Sequence, residues 1–142
     1  MTTPTRARPP ADANSAARTR DAERSRLAIL QAAKVAFATQ GLAGTRLEDV
    51  ARDAGIDKRL IYYYFENKEQ LFVAVLEEAY SGIRQAEAAL DLLSLEPRAA
   101  IEKLIAFSWQ YYLAHPEFVR VINTENLHRA RHLAQSRRMG TI

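Results

Sequence analysis

The chain has 142 residues, of which 48% are hydrophobic and 26% are charged, the composition of a folded globular protein rather than of a disordered or fibrous one. Its net charge is +3, and residues 1–72 carry that excess with 12 basic against 9 acidic side chains, so a polyanionic partner should meet this half. The absence of cysteine excludes disulfides and thiolate metal sites, and the lack of a long apolar run or an export signal predicts a cytoplasmic protein without a membrane span.

The amino-terminal segment, residues 1–22, is rich in Pro, Ala, Thr and Arg and has no periodic apolar face. We predict a disordered basic arm that is either inert or touches phosphates when DNA is bound. A helix is predicted from Arg24 to Gln40, because apolar residues recur there at three- and four-residue steps. These residues are Leu27, Leu30, Ala33 and Phe37. Gly41 is expected to end this helix in a left-handed conformation.

Two short helices follow, joined by a tight turn. The first is predicted to open with Thr45 and Glu48, which have the spacing of a capping box, and to end at Gly55. Asp57 is a good N-cap for the second, which should run to about Phe65. Two helices joined by so short a turn cross at a steep angle. The pattern therefore predicts a helix-turn-helix, with the preceding helix as its brace.

The second of these helices carries three consecutive tyrosines, residues 62–64. Consecutive helical residues are about 100° apart, so the three rings cannot share a face. We expect Ile61 and Phe65, one turn apart, to point into the core. The opposite, outward face then consists of Arg59, Leu60 and Tyr63. Such a face suits a DNA groove, because arginine can pair with guanine, leucine can touch a thymine methyl, and a phenol hydroxyl reaches phosphate.

The sequence of the second half predicts further helices. A long helix should begin near Asn67, and after a looser stretch Pro97 suits the first turn of another helix. Pro116 should end that helix by about His115. One or two short helices complete the chain, and no segment has the alternation of a strand. The predicted fold class is all-α, with a three-helix DNA-binding domain followed by a partial helical bundle.

Residues 24–76 resemble the DNA-binding domain of the tetracycline-repressor (TetR) family of bacterial transcription regulators. The stretch from Thr45 through Phe65, together with Lys68-Glu69, carries most of the resemblance. It implies that the second helix of the motif lies in the major groove of operator DNA. The implied base contacts are made by Lys58, Arg59, Leu60 and Tyr63. The implied phosphate contacts are made by Thr45, Tyr62 and Lys68. Relatives often have glycine at position 59, so we expect Arg59 to carry this protein's own operator preference.

The resemblance also implies a domain organisation: an arm at 1–22, a helix-turn-helix domain at 23–72, and a partial ligand-binding and dimerisation domain at 73–142 that lacks the last two helices of the family's usual bundle. Double-stranded operator DNA and a small-molecule effector are the implied partners, and a homodimer is expected if the remaining helices suffice. Candidate pocket residues are Trp109, Tyr112 and Phe118. Aromatic residues at helical spacing are, however, more often part of an ordinary core than of a ligand pocket.

No motif for catalysis is present: there is no phosphate-binding glycine loop, no nucleophile beside a histidine and an acid, and no convergent carboxylate pair. His128 and His132 are four apart, but no carboxylate completes a metal site locally and nearby arginines would repel a cation. We predict neither an enzyme nor a bound metal or cofactor.

The expected function is a DNA-binding transcriptional regulator, most simply a ligand-responsive repressor. Two alternatives remain open. One is a helical protein-protein interaction module that uses the tyrosine-rich face, and the other is a small-molecule binding module with a vestigial DNA-binding head.

Overall fold

The computed structural model describes residues 11–142. This part of the chain forms six α-helices and contains no strand, which confirms the all-α prediction. The helices are α1 (Ala11–Gly44), α2 (Leu47–Ala54), α3 (Lys58–Phe65), α4 (Lys68–Ala88), α5 (Pro97–Ala114) and α6 (Pro116–Leu127). Short 3-10 turns lie at Leu92–Ser94, Leu133–Gln135 and Met139–Thr141. No helix in residues 11–142 is both long and apolar enough to cross a membrane.

Helix α1 begins at Ala11, well before the predicted start at Arg24. Of the predicted arm, residues 1–10 lie outside the described residues, whereas residues 11–22 continue the helix, which corrects the expectation of an irregular segment there. Residues 15–20 of this extension are exposed, so they bury no core surface. Alanine, arginine and glutamate favour helix, and extending an existing helix costs far less than nucleating a new one.

The buried stripe of α1 differs from the predicted one at its start. Leu30, Ala33 and Phe37 are buried as expected, but Leu27 is 48% exposed and Ile29 takes the first core position instead. Gly41 then turns the chain with a φ of +70°, a backbone conformation that glycine adopts without steric cost. The predicted break at this residue is confirmed.

The entry to α2 corrects the predicted capping box. The N-cap is Arg46, which makes no side-chain capping hydrogen bond. Thr45 is only 2% exposed, and its hydroxyl donates to the Gly41 carbonyl oxygen at 2.7 Å. Thr45 therefore closes the end of α1 rather than opening α2.

The turn between α2 and α3 follows the sequence closely. Gly55 ends α2 in the left-handed region, with φ +68° and ψ +34°. The Asp57 side chain then caps α3 by accepting the Arg59 backbone N–H at 2.8 Å. The two helices are thus oriented by their own end residues, as the helix-turn-helix prediction requires.

One hydrophobic core holds α1, α2, α3 and the first turns of α4 together; this unit is called the head below. At its centre the Phe37 and Phe72 rings meet edge to face, with their centroids 5.0 Å apart. Val121 of α6 belongs to the same core. Helix α4 runs without a break through residue 72, the predicted domain boundary, so the head and the second half share a helix and part of a core.

The second half contains the two proline-defined helices. Pro97 stands in the first turn of α5, and α5 ends at Ala114, just before Pro116, both as predicted; Pro116 itself stands in the first turn of α6. No residue of α5 is buried. Its large apolar side chains Ile101, Ile105, Trp109 and Leu113 recur every four residues and are all more than half exposed.

A buried carboxylate fixes the turn that follows α6. The Glu125 carboxylate accepts the backbone N–H groups of His132 and Leu133 at 2.8 and 2.9 Å, and its second oxygen lies 2.7 Å from the His132 imidazole Nδ1. The His132 ring lies edge-on to Phe72, with centroids 5.2 Å apart. The sequence does not indicate this hydrogen-bond partner of His132. No group of three potential metal ligands occurs in the part of the chain that the structure describes.

Candidate nucleic-acid interface

Helix α3 presents one face to the core and the opposite face outward. Ile61 is fully buried and Phe65 nearly so, whereas Tyr63 is 78% exposed. Tyr62 lies on the flank with about half of its surface exposed, and the Tyr64 ring supports Tyr63 edge to face at 5.1 Å. The predicted orientation of this helix is confirmed. We call its outward side chains the reading surface: Lys58, Arg59, Leu60, Tyr62 and Tyr63.

Both cations of the reading surface are bound to carboxylates. The Lys58 ammonium forms an ion pair with Glu48 of α2 and lies over the Tyr62 ring, 5.6 Å from its centroid. The Arg59 Nη2 donates to Asp57 Oδ2 at 2.8 Å, and Arg59 Nε lies 3.2 Å from both Asp57 oxygens. Neither carboxylate partner was predicted from the sequence. For Asp57 the signal was its position two residues before Arg59, whereas Glu48 stands ten residues from Lys58 across the turn.

These contacts lower the pKa of Asp57. The hydrogen bonds donated by the Arg59 side chain and backbone N–H lower the pKa of the Asp57 carboxyl to about 2. The folded state therefore favours the carboxylate. Its contribution to stability is complete above the ordinary aspartate pKa of 3.8 and is lost as the pH falls through about 2.

We expect carboxyl-carbon NMR to show Asp57 titrating near pH 2 in the intact chain. In Arg59→Ala the side-chain hydrogen bonds disappear and the pKa should rise toward its ordinary value, although the backbone N–H bond keeps it partly lowered. Arg52→Ala, which removes a cation of α2 that binds Asp49, is the matched control and should leave Asp57 unchanged. An Asp57 pKa that is the same in all three proteins would show that the Arg59 pair does not form in solution.

The side chains predicted to contact phosphate are not all accessible in the structure. Lys68, in the first turn of α4, donates from Nζ to the Thr45 carbonyl oxygen at 3.2 Å and ties the start of α4 to the start of α2. An ammonium has three N–H donors, so two remain for a phosphate. Thr45 itself is buried, and its side chain does not reach the surface. Arg46 beside it is exposed and forms no ion pair within residues 11–142, which makes it a candidate that the sequence analysis missed.

The second half has an open cavity of about 340 Å³ between α4, α5 and α6. Its lining includes Tyr80, Arg84, Tyr112, Phe118 and Asn123. The Tyr112 and Phe118 rings stack in parallel with centroids 6.0 Å apart, so the structure brings together two of the three predicted pocket residues. Trp109 does not line this cavity and is 64% exposed. Burial raises the pKa of Tyr80, which keeps its phenol neutral and able to donate a hydrogen bond.

Two family models match this chain one after the other. The model described as "Bacterial regulatory proteins, tetR family" matches residues 29–75, and "Tetracyclin repressor-like, C-terminal domain" matches residues 97–142. The chain belongs to the TetR family. The first TetR match contains α2, α3 and the whole reading surface, and the second begins where α5 begins.

Curated TetR-type regulators match most of this chain. It is 43% identical over 125 residues to the HTH-type transcriptional repressor NicS of Pseudomonas putida, covering 88% of this chain and 59% of NicS. It is 34% identical over 110 residues to the HTH-type transcriptional regulator RutR of Escherichia coli, covering 78% of this chain and 51% of RutR. The chain thus spans a little over half the length of these relatives.

Solved structures support the same family. A TetR-family regulator from Mesorhizobium loti superposes with a TM-score of 0.66 at 28% identity, covering 80% of this chain and 58% of that one. The regulator SCO4942 from Streptomyces coelicolor superposes with a TM-score of 0.61 at 29% identity, covering 78% of this chain and 58% of that one. The arrangement of the TetR head and the following helices is therefore shared with proteins of known structure.

Proposed function

We propose that this TetR-family chain is a sequence-specific DNA-binding regulator of transcription that represses a promoter by occupying its operator. The observation that carries the proposal is the orientation of α3: Ile61 and Phe65 are held in the core, so the reading surface faces outward. The arginine, leucine and tyrosine of the reading surface can make hydrogen bonds and apolar contacts with base edges, whereas such a combination gains little from facing only water. The printed names of the relatives, repressor and regulator, support the same class.

Within this proposal the side chains divide by what they contact. Lys58, Arg59, Leu60 and Tyr63 make the base contacts. Tyr62 and Lys68 bind phosphates on either side, and Arg46 at the start of α2 adds a third phosphate contact. Thr45 is left out of the set because its hydroxyl is buried against the Gly41 carbonyl.

Two copies of the head would act together. A single head buries little surface, whereas a symmetric dimer engages two half-sites about 34–36 Å apart and adds their contacts. A small effector in the cavity beside Tyr112 and Phe118 would favour a conformation in which the two heads no longer match that spacing. Since the target is chromosomal DNA, we place the protein in the cytoplasm.

The test is a gel-shift titration against genomic fragments at moderate salt. We expect the chain to select a small set of fragments over bulk DNA. The logarithm of its binding constant should fall with the logarithm of the salt concentration, with a slope of about 0.9 for each phosphate contacted. No selection would contradict sequence-specific repression and favour a vestigial head. Weak binding that does not respond to salt would favour a protein-docking role for the tyrosine-rich face.

A further inference from the structure

We propose that Glu48 and Asp57 are specificity-determining residues, because they hold the cations of the reading surface in place and suppress binding to DNA of the wrong sequence. The inference rests on the proposed DNA-binding function and assigns a role to two acidic residues on the DNA-facing side. An acidic side chain there repels phosphate, so its presence calls for a reason beyond affinity.

The local charge is balanced at the start of α3. Lys58 is bound to Glu48 and Arg59 to Asp57, so two cations face two carboxylates. Arg59, Glu48 and Asp57 are more than half exposed and Lys58 is partly exposed, and ion pairs that solvent reaches contribute little to folding stability. Asp57 has a structural role of its own as the N-cap of α3, but an uncharged asparagine would cap equally well. The charge of these carboxylates acts mainly on what approaches the surface.

Non-specific binding to DNA comes from cations that displace counterions along the phosphate backbone. A phosphate that binds Lys58 or Arg59 also lies close to the paired carboxylate, whose negative charge offsets much of the attraction of the cation, whereas a neutral base is not repelled. The Lys58 ammonium is further held over the Tyr62 ring. Both arrangements disfavour the loose phosphate contacts that hold a regulator on random sequence.

Reading a base does not require the Arg59 pair to break. Asp57 occupies the edge of the guanidinium formed by Nε and one N–H of Nη2. The other edge, with N–H groups on both Nη1 and Nη2, stays available for a paired hydrogen bond to guanine. Asp57 thus restricts the guanidinium to one orientation while leaving its base-reading edge available. Specific binding is weakened less than non-specific binding, and the ratio between them rises.

The experiment compares Glu48→Gln and Asp57→Asn with the parent chain on two probes: a random-sequence duplex and the fragment that the parent selects. We expect each variant to bind the random duplex about two- to fivefold more tightly, the effect of releasing one exposed ion pair, with a smaller gain on the selected fragment. The salt slope of Glu48→Gln on the random duplex should steepen by about 0.9, because Lys58 becomes available to one more phosphate.

Asp49→Asn is the matched control, since it makes the same charge change on α2 but removes a carboxylate that binds Arg52. Arg52 keeps Asp53 as a partner at 3.6 Å, so no cation is released. We expect this control to change both probes alike and to leave the salt slope unaltered. Circular dichroism of each variant checks that α3 stays folded.

The outcomes separate the two claims. If the parent selects a fragment but Glu48→Gln and Asp57→Asn behave like Asp49→Asn, the carboxylates act only through net charge and the inference is overturned. If either variant binds the random duplex more weakly than the parent, its carboxylate makes a DNA contact of its own and the inference also fails. If the parent selects no fragment, the proposed function is contradicted, and the inference, which depends on it, is contradicted as well.

Discussion

Replacing Glu125 with alanine is expected to lower the free energy of unfolding by roughly 3 kcal/mol or more, at about 1–3 kcal/mol for each buried hydrogen-bond donor that loses its acceptor. The carboxylate is 1% exposed and is the acceptor for two backbone N–H groups and the partner of the His132 imidazole. Alanine would leave the two buried groups of His132 and the part-buried N–H of Leu133 without this acceptor, and each unsatisfied donor costs free energy. Urea unfolding followed by circular dichroism measures the loss.

Glu117→Ala is the control for this prediction, because Glu117 is a glutamate with a side-chain partner, Lys34 at 3.6 Å, but is partly exposed. We expect it to cost less than about 1 kcal/mol. Glu125→Gln should fall between the two, since an amide oxygen can still accept a backbone N–H. If Glu125→Ala and Glu117→Ala cost the same, the carboxylate does not organise the turn after α6.

The loss of stability in Glu125→Ala should also affect the head. His132 lies against Phe72, and Phe72 packs on Phe37 at the centre of the head core. A loosened turn after α6 would therefore remove support from the core that orients α3. We expect hydrogen exchange of α3 amides to quicken in Glu125→Ala more than in Glu117→Ala under conditions where both proteins remain folded.

Arg59→Ala is expected to weaken binding to the selected fragment by roughly 5- to 150-fold and to relax the preference at one base pair, because a paired hydrogen bond to guanine is lost. Lys68→Ala should instead weaken all sequences alike and flatten the salt slope by about 0.9, the signature of one lost phosphate contact. Fluorescence anisotropy on the selected fragment and on single-base variants of it measures both effects.

Two controls make the comparison between these substitutions sharper. Arg59→Ala also exposes the Asp57 carboxylate, whose repulsion of phosphate weakens every sequence, so the substitution should be repeated in an Asp57→Asn background. Arg52→Ala removes an arginine outside the reading surface and should leave base preference unchanged. If Arg59→Ala and Lys68→Ala lowered affinity equally on every sequence, the reading surface would have been assigned to the wrong side chains.

The sequence alone determined the elements whose causes are local. Gly55 and Asp57 set the turn of the helix-turn-helix because the conformation of a helix end depends on its own few residues. Pro97 and Pro116 set the start and the end of α5 for the same reason. The spacing of Ile61 and Phe65 sufficed to orient α3, since helical periodicity converts spacing directly into a face.

The tertiary structure decided what depends on distances between elements. Thr45 has a favourable capping position in sequence, but the kink at Gly41 brings a carbonyl oxygen within reach of its hydroxyl and buries it. Glu48 meets Lys58 across the helix-turn-helix, and Glu125 meets His132 only after the chain turns back beyond α6. No local pattern specifies these pairs, because the crossing of helices and the closing of turns set which charges meet.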